Sequence, residues 1–178
     1  HNLTSYRQPG APESAKYTMN YGSSTAERKK HLLLSSVTPM GQRDVYTYDS
    51  FGNRLTGVHQ KSGDSAYIRT ETAYDASGAY AVQAKDARGN AVTRGVNAET
   101  GLLTSVTDPN GQTVSYAYDA SKRVTSVQTT AGGKTYKNAY TYANDRIQKV
   151  QHNTTTDTPD VEYSFGYDAL GRKTTVKV

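Results

Sequence analysis

Four histidines and a set of recurring aspartates are the residues of this chain best equipped to do chemistry. An imidazole can carry a proton near neutral pH or ligate a metal. His1, His31, His59 and His152 are far apart, and none sits in a His-Glu-x-x-His or comparable metal spacing. No set of nucleophile, base and orienting group can be assembled around them. The aspartates look like candidate paired carboxylates until their settings are compared. They recur as Asp-x-x-Gly at Asp49–Gly52, Asp75–Gly78, Asp86–Gly89, Asp108–Gly111 and Asp168–Gly171. Each holds the same place in its own phrase, so one role, capping a turn through hydrogen bonds to the backbone two residues on, accounts for all of them. Calcium would require several oxygens from one loop, and Asp86-Ala87-Arg88-Gly89-Asn90 places a cation in the middle. The absence of cysteine removes disulfides and thiolate metal sites. The chemistry-bearing residues therefore imply no catalytic residue, no metal and no cofactor.

The tyrosines are the remaining candidates. There are 15 of them, with two Phe and no Trp, in 178 residues. Exposed, they would offer flat apolar faces with polar rims on which sugars stack. At period two they suit packing within half-buried strands, and that is the reading preferred here, with glycan binding as the alternative. Residues expected to share a face are Tyr17, Met19 and Tyr21; Tyr46 and Tyr48; Tyr136, Tyr140 and Tyr142; and Val161, Tyr163, Phe165 and Tyr167.

The elements that must position these side chains are legible in a phrase that keeps returning: Tyr-x-Tyr-Asp-x-x-Gly, a basic or polar residue, then an aliphatic one. Clear copies are Tyr46 to Leu55 and Phe165 to Lys173; looser ones run through Tyr74, Asp75 and Gly78 and through Tyr116, Tyr118, Asp119 and Val124. Turn ends fall at Gly52, Gly78, Gly101, Lys122, Asp145 and Gly171, spaced 26, 23, 21, 23 and 26 residues apart. Such a period marks a repeat architecture. In the cleanest unit, Leu102–Thr107 is β-prone, Asp108-Pro109-Asn110-Gly111 is a turn, and Gln112–Tyr118 alternates with Val114, Tyr116 and Tyr118 on one face. Each repeat is thus one β-hairpin. The Asp-x-x-Gly turn suits a type I turn closed by a left-handed Gly. Lys122 and Asp145 stand where Gly is expected, with Asn144 as a substitute for Asp145 in the left-handed conformation.

One spacing resists simple alternation. The outgoing strands carry apolar residues three apart: Leu34 and Val37, Leu55 and Val58, Leu103 and Val106, Val124 and Val127, Ile147 and Val150. Either a bulge intervenes or both faces are partly covered.

Composition sets outer bounds. A hydrophobic fraction of 34% is low, but 10% aromatic residues argue against disorder and for a thin sheet with an aromatic face. The net charge of +5 comes from scattered Lys and Arg with one run, Arg28-Lys29-Lys30, which is not the stripe a nucleic-acid binder needs. No apolar run approaches the roughly 20 residues that cross a bilayer. Asn2-Leu3-Thr4 and Asn153-Thr154-Thr155 match glycosylation acceptors but read as loop residues. The chain opens on His1 and reads as a piece of something longer.

The phrase Tyr-Asp-x-x-Gly-Arg/Asn-Leu-Thr, coupled to Asp-Pro-Asn-Gly-type turns, resembles the YD repeats of the Rhs family, which includes bacterial Rhs and wall-associated proteins, shell subunits of toxin complexes, and teneurins. The resemblance runs from about Leu33 to Val178; residues 1–32 are a weaker, degenerate first repeat of the same single array. It implies an all-β array of antiparallel hairpins in a twisted, curving ribbon-like sheet, a segment of a spiral shell. It also implies a non-enzymatic role in a secreted or cell-surface protein of a bacterial parent, whose shell encloses a C-terminal toxin or effector. The expected partners are the rest of that shell and its cargo, with glycans as the alternative and weak self-association through open edge strands. The residues that carry the motif are Tyr46, Tyr48, Asp49, Gly52, Tyr74, Asp75, Gly78, Asp108, Gly111, Tyr116, Tyr118, Asp119, Tyr140, Tyr142, Tyr167, Asp168 and Gly171. The family's closing core segment, rich in Asp-Pro-x-Gly, does not occur here, so its self-cleavage attaches to no residue of this chain.

Overall fold

Period-two patterning punctuated by Asp, Asn and Gly yields strands joined by tight turns. The computed structural model describes residues 2–23, 31–63, 67–153 and 159–178, and among these it contains no helix. His1, the Arg28-Lys29-Lys30 run, and Thr154 and Thr155 lie outside the described residues. Contacts divide the chain into two compact units, residues 1–92 and 93–178. The first holds β1 (Ser5–Arg7), β2 (Lys16–Tyr21), β3 (Leu33–Val37), β4 (Arg43–Tyr48), β5 (Arg54–Gln60), β6 (Tyr67–Tyr74) and β7 (Ala81–Lys85). β8 (Ala91–Val96) falls mostly in the second, which continues with β9 (Leu103–Thr107), β10 (Thr113–Tyr118), β11 (Val124–Ala131), β12 (Lys134–Ala143), β13 (Arg146–Asn153), β14 (Val161–Tyr167) and β15 (Lys173–Lys177). Within each unit strand neighbours follow chain order, and every described pairing is antiparallel. The expected all-β array of hairpins is what the chain forms.

The puzzle of apolar residues three apart resolves into a bulge repeated from hairpin to hairpin. In β2–β3 the register steps from Tyr21↔Leu33 to Asn20↔Ser35, leaving Leu34 as the extra residue. The same step leaves Leu55, Val82, Thr104, Thr125, Gln148 and Thr174 as extra residues in their hairpins. A bulge inserts one residue opposite one partner and reverses the alternation beyond it. Leu103 and Val106 therefore face the same side, opposite Val96 and Arg94. Val124 and Val127 do so opposite Tyr118 and Tyr116, and Ile147 and Val150 opposite Tyr142 and Tyr140. In the Leu34/Val37 and Leu55/Val58 pairs the first member is itself the extra residue, and the pair does not share a face in this way.

The bulges sort the second unit's side chains by face. Val106 lies beside Val114, Val127 beside Tyr116, and Val150 between Tyr140 and Tyr163. The opposite face carries Ser105, Ser115, Gln128 and Lys137 in one row and Ala117, Ser126, Ala139 and Gln151 in another. Even the apolar face is only half-buried: among the described residues no hydrophobic side chain is fully buried. Cohesion must come from ladders, turns and cross-strand pairs, not from a filled interior.

Candidate functional site

The motif residues converge on the seam between one repeat and the next. The turns come first. Asp49 N–H donates to Asn53 O at 3.0 Å and Gly52 N–H to Asp49 O at 3.4 Å. The Asp49 carboxylate accepts from the N–H groups of Phe51 and Asn53 at 2.8 and 2.9 Å. The same set recurs at Asp86, Asp108, Asp119 and Asp168. Asp75 closes a longer turn, donating to Tyr80 O at 3.0 Å and accepting from Ala79 and Tyr80. One carboxylate oxygen thus satisfies two backbone donors that a tight turn would otherwise leave bare.

The fourth position is left-handed in each turn: φ is 90° at Gly52, 71° at Gly78, 83° at Gly111 and 79° at Gly171, and 63° at Lys122 where no Gly is present. At Asn144 and Asp145 the expectation of a single left-handed residue is corrected. Both are left-handed, at 48° and 60°, which is the two-residue turn that matches strand twist.

The carboxylates of Asp49, Asp75, Asp86, Asp119 and Asp168 are held acidic. Backbone and side-chain bonds from Arg172 lower the Asp168 pKa, and the Arg123 backbone N–H, then its guanidinium, lower that of Asp119. At Asp75 the Ser77 hydroxyl is the main cause. At Asp49 desolvation pulls upward but bonds from Asn53, Phe51 and Gly52 prevail.

Framed on its Tyr-Asp turn rather than on the Asp108–Gly111 turn, the repeat is the hairpin β4–β5, β10–β11, β12–β13 or β14–β15, and in these four the second tyrosine of the motif ties the repeat to the strand before it. Tyr48 Oη donates to Leu33 O at 2.8 Å, Tyr118 to Leu103 O at 2.8 Å, Tyr142 to Val124 O at 2.7 Å and Tyr167 to Ile147 O at 2.7 Å. All four acceptors belong to the residue immediately before the bulge residue of an outgoing strand. A bulge interrupts the ladder there, and the phenol supplies a donor at that interruption. Partial burial pushes the Tyr48 hydroxyl above its ordinary pKa, with the Arg54 charge opposing and Tyr46 adding to the rise. Tyr46, Tyr116 and Tyr140, two residues earlier, instead lie across from Gly57, Val127 and Val150. Tyr74 lies across from Ala81 in the looser copy.

At two turns the residue after the left-handed position reaches across the seam. Asn53 Nδ2 donates to Asp49 Oδ2 at 3.1 Å and to Gly78 O of the next turn at 2.7 Å. Arg123 bonds Asp119 and the next turn's Asp145, both at 2.8 Å, and its guanidinium lies 4.6 Å from the Tyr142 ring centroid. Glycine at the turn ends is needed for space too: a Cβ on Gly78 would strike the Phe51 ring, and one on Gly171 the Arg146 guanidinium. The aspartate and glycine positions were visible in the sequence. The tyrosine's carbonyl partner and the bridging by Asn53 and Arg123 were not, because they depend on which strands become neighbours; the recurring polar residue after each turn was the only signal.

Residues 99–135, from the turn before β9 into β12, match the family model described as RHS Repeat. This stretch is similar to an RHS repeat. The chain carrying it is similar to two solved assemblies. One is the crystal structure of TcdB2-TccC3 without its hypervariable C-terminal region, at 13% identity over 88% of this chain and 10% of that one, with a TM-score of 0.45. The other is the Photorhabdus luminescens Tc holotoxin pore with mutated TccC3, at 13% identity over the same shares, with a TM-score of 0.47. The chain spans about a tenth of the length of these structures. No curated protein matches it. Among the described residues no group of three or more His, Asp or Glu is placed to hold a metal ion, and no helix is long and apolar enough to cross a membrane.

Proposed function

We propose that this RHS-repeat segment is a non-enzymatic wall element of a larger secreted or surface protein, whose repeats enclose a C-terminal toxin or effector. The observation that supports this most is the seam. Four tyrosine-to-carbonyl bonds and the Asn53 and Arg123 bridges join a repeat framed on its Tyr-Asp turn to its neighbour. Recurring residues are spent on joining repeats rather than on lining one pocket, which is the economy of a repeat scaffold. The partners on this reading are further repeats and the enclosed segment.

The test uses the parent protein with its flanking sequence. Limited proteolysis should leave a C-terminal segment uncut while the intact repeats surround it, and opening the wall by denaturant should expose it. A C-terminal segment cut equally fast before and after the wall is opened would refute enclosure.

A further inference from the structure

Four residues before the tyrosine that lies at each bulge, the returning strand meets the strand before it through a mixed set of side chains. Asp44 lies across from Ser36, Thr70 from Gly57, Val114 from Val106, Asn138 from Val127 and Tyr163 from Val150. β1 and β2 depart from this by setting one phenol against another, Tyr17 across from Tyr6. A departure from an otherwise consistent pattern is where function is to be sought.

The Tyr6 and Tyr17 rings lie 4.5 Å apart between centroids, with an interplanar angle of 1°. All 15 tyrosines fall among the described residues, and no other two of them are stacked. Neither hydroxyl of the pair bonds to a described residue, whereas the phenols of Tyr48, Tyr118, Tyr142 and Tyr167 are committed to carbonyls. Tyr6 is 45% exposed, so an oxidant in solution reaches it. Tyr17 beneath it is half-buried.

We propose that Tyr6 and Tyr17 are a site of oxidative coupling, joined Cε to Cε as a dityrosine. A one-electron oxidant takes one electron from each phenol, and each O–H proton leaves to solvent. Unpaired spin in a phenoxyl ring resides partly on the carbons ortho to the oxygen, in π lobes perpendicular to the ring plane. Parallel stacked rings aim these lobes at each other, as edge-to-face rings do not. The two radicals pair to form the C–C bond. The hydrogen on each joined carbon then moves to its phenolic oxygen, which restores both rings. The net loss is one hydrogen from each tyrosine. Hydrogen peroxide acting through a haem peroxidase is a suitable oxidant, since it takes up both electrons and both protons and becomes water. Partners held in contact gain the advantage of an intramolecular reaction over diffusing ones.

The bond has a structural use. β1 is three residues long, and among the described strands it pairs only with β2. A bridge from Tyr6 to Tyr17 constrains the unfolded chain as a disulfide does, in a chain that has no cysteine. This inference rests on the geometry of one hairpin and stands apart from the wall reading.

The test is photo-oxidation of the folded 178-residue chain by a ruthenium complex with persulfate, a one-electron oxidant that works in urea as well as in buffer. Dityrosine fluorescence should appear in the monomer fraction. A protease digest of that fraction should yield the Tyr6 and Tyr17 segments joined, lighter than their sum by the hydrogens lost. The yield should exceed that from the urea-unfolded chain at least about tenfold, as expected for partners held in place. Tyr6→Phe and Tyr17→Phe keep the stacked rings but remove one phenol, and each should abolish most of the monomer fluorescence. Tyr136→Phe, which removes an exposed phenol elsewhere, should leave it unchanged. Absence of the joined segments, an equal yield in urea, or undiminished monomer fluorescence in folded Tyr6→Phe would overturn the proposal.

Discussion

The two tyrosines of each motif have different duties, although they sit two residues apart on one strand face. Tyr118 sends its hydroxyl to Leu103 O, whereas the hydroxyl of Tyr116 bonds to no described residue. Tyr118→Phe should therefore cost about 1 kcal/mol, the net worth of one hydrogen bond whose acceptor is left poorly satisfied, while Tyr116→Phe should change little. Denaturant midpoints of the two variants check this, and equal effects would remove the distinction. Lys122 makes a second residue-scale case. Its φ of 63° is left-handed without the freedom of glycine. That conformation costs a side-chain-bearing residue roughly 1–2 kcal/mol, partly offset by the greater unfolded-state entropy of Gly. Lys122→Gly should raise the melting temperature by about 1–4 °C, a gain of up to about 1 kcal/mol in a chain of this size. No rise would mean that the turn accommodates lysine without strain.

At the scale of the hairpin, the turn glycines separate backbone strain from crowding. A Cβ at Gly111 meets nothing within 4 Å, so Gly111→Ala loses only the left-handed allowance, about 1–2 kcal/mol. Gly171→Ala meets the same strain and the Arg146 side chain as well, and should cost more. Thermal unfolding of the pair tests the order. The turn aspartates give the hairpins an acid sensitivity whose sign is fixed by their lowered pKa values at Asp49, Asp75, Asp86, Asp119 and Asp168. A carboxylate more acidic in the folded chain contributes stability that is complete above its unfolded pKa, about 3.9, and lost as pH falls through the lower folded value. Urea midpoints should be flat with respect to these groups above that range and drop below it. Asp119→Asn should shrink the drop.

The hairpins, their turns and the facing tyrosines were legible in the sequence because they follow from local chemistry: alternation, Asp capping and Gly conformational freedom. The bulge was visible only as an unexplained spacing of three, since register belongs to a pair of strands and not to one.

At the scale of the molecule, the central fact is that the described residues include no fully buried hydrophobic side chain, yet they form ordered hairpins throughout. With a hydrophobic fraction of 34%, the chain has little material for a thick interior. Stability must then be distributed, each repeat drawing on its neighbours, as in quasi-one-dimensional repeat proteins. The tyrosine-to-carbonyl bond is the most regular link between neighbours. Native-state hydrogen exchange on Tyr142→Phe tests that coupling most directly, because opening free energies are read strand by strand. Protection should fall in β11 near Val124, the acceptor strand, as well as in β12, while strands of the first unit keep theirs. Loss confined to β12, or unchanged protection in both strands, would contradict the claim that these tyrosines hold one repeat to the next.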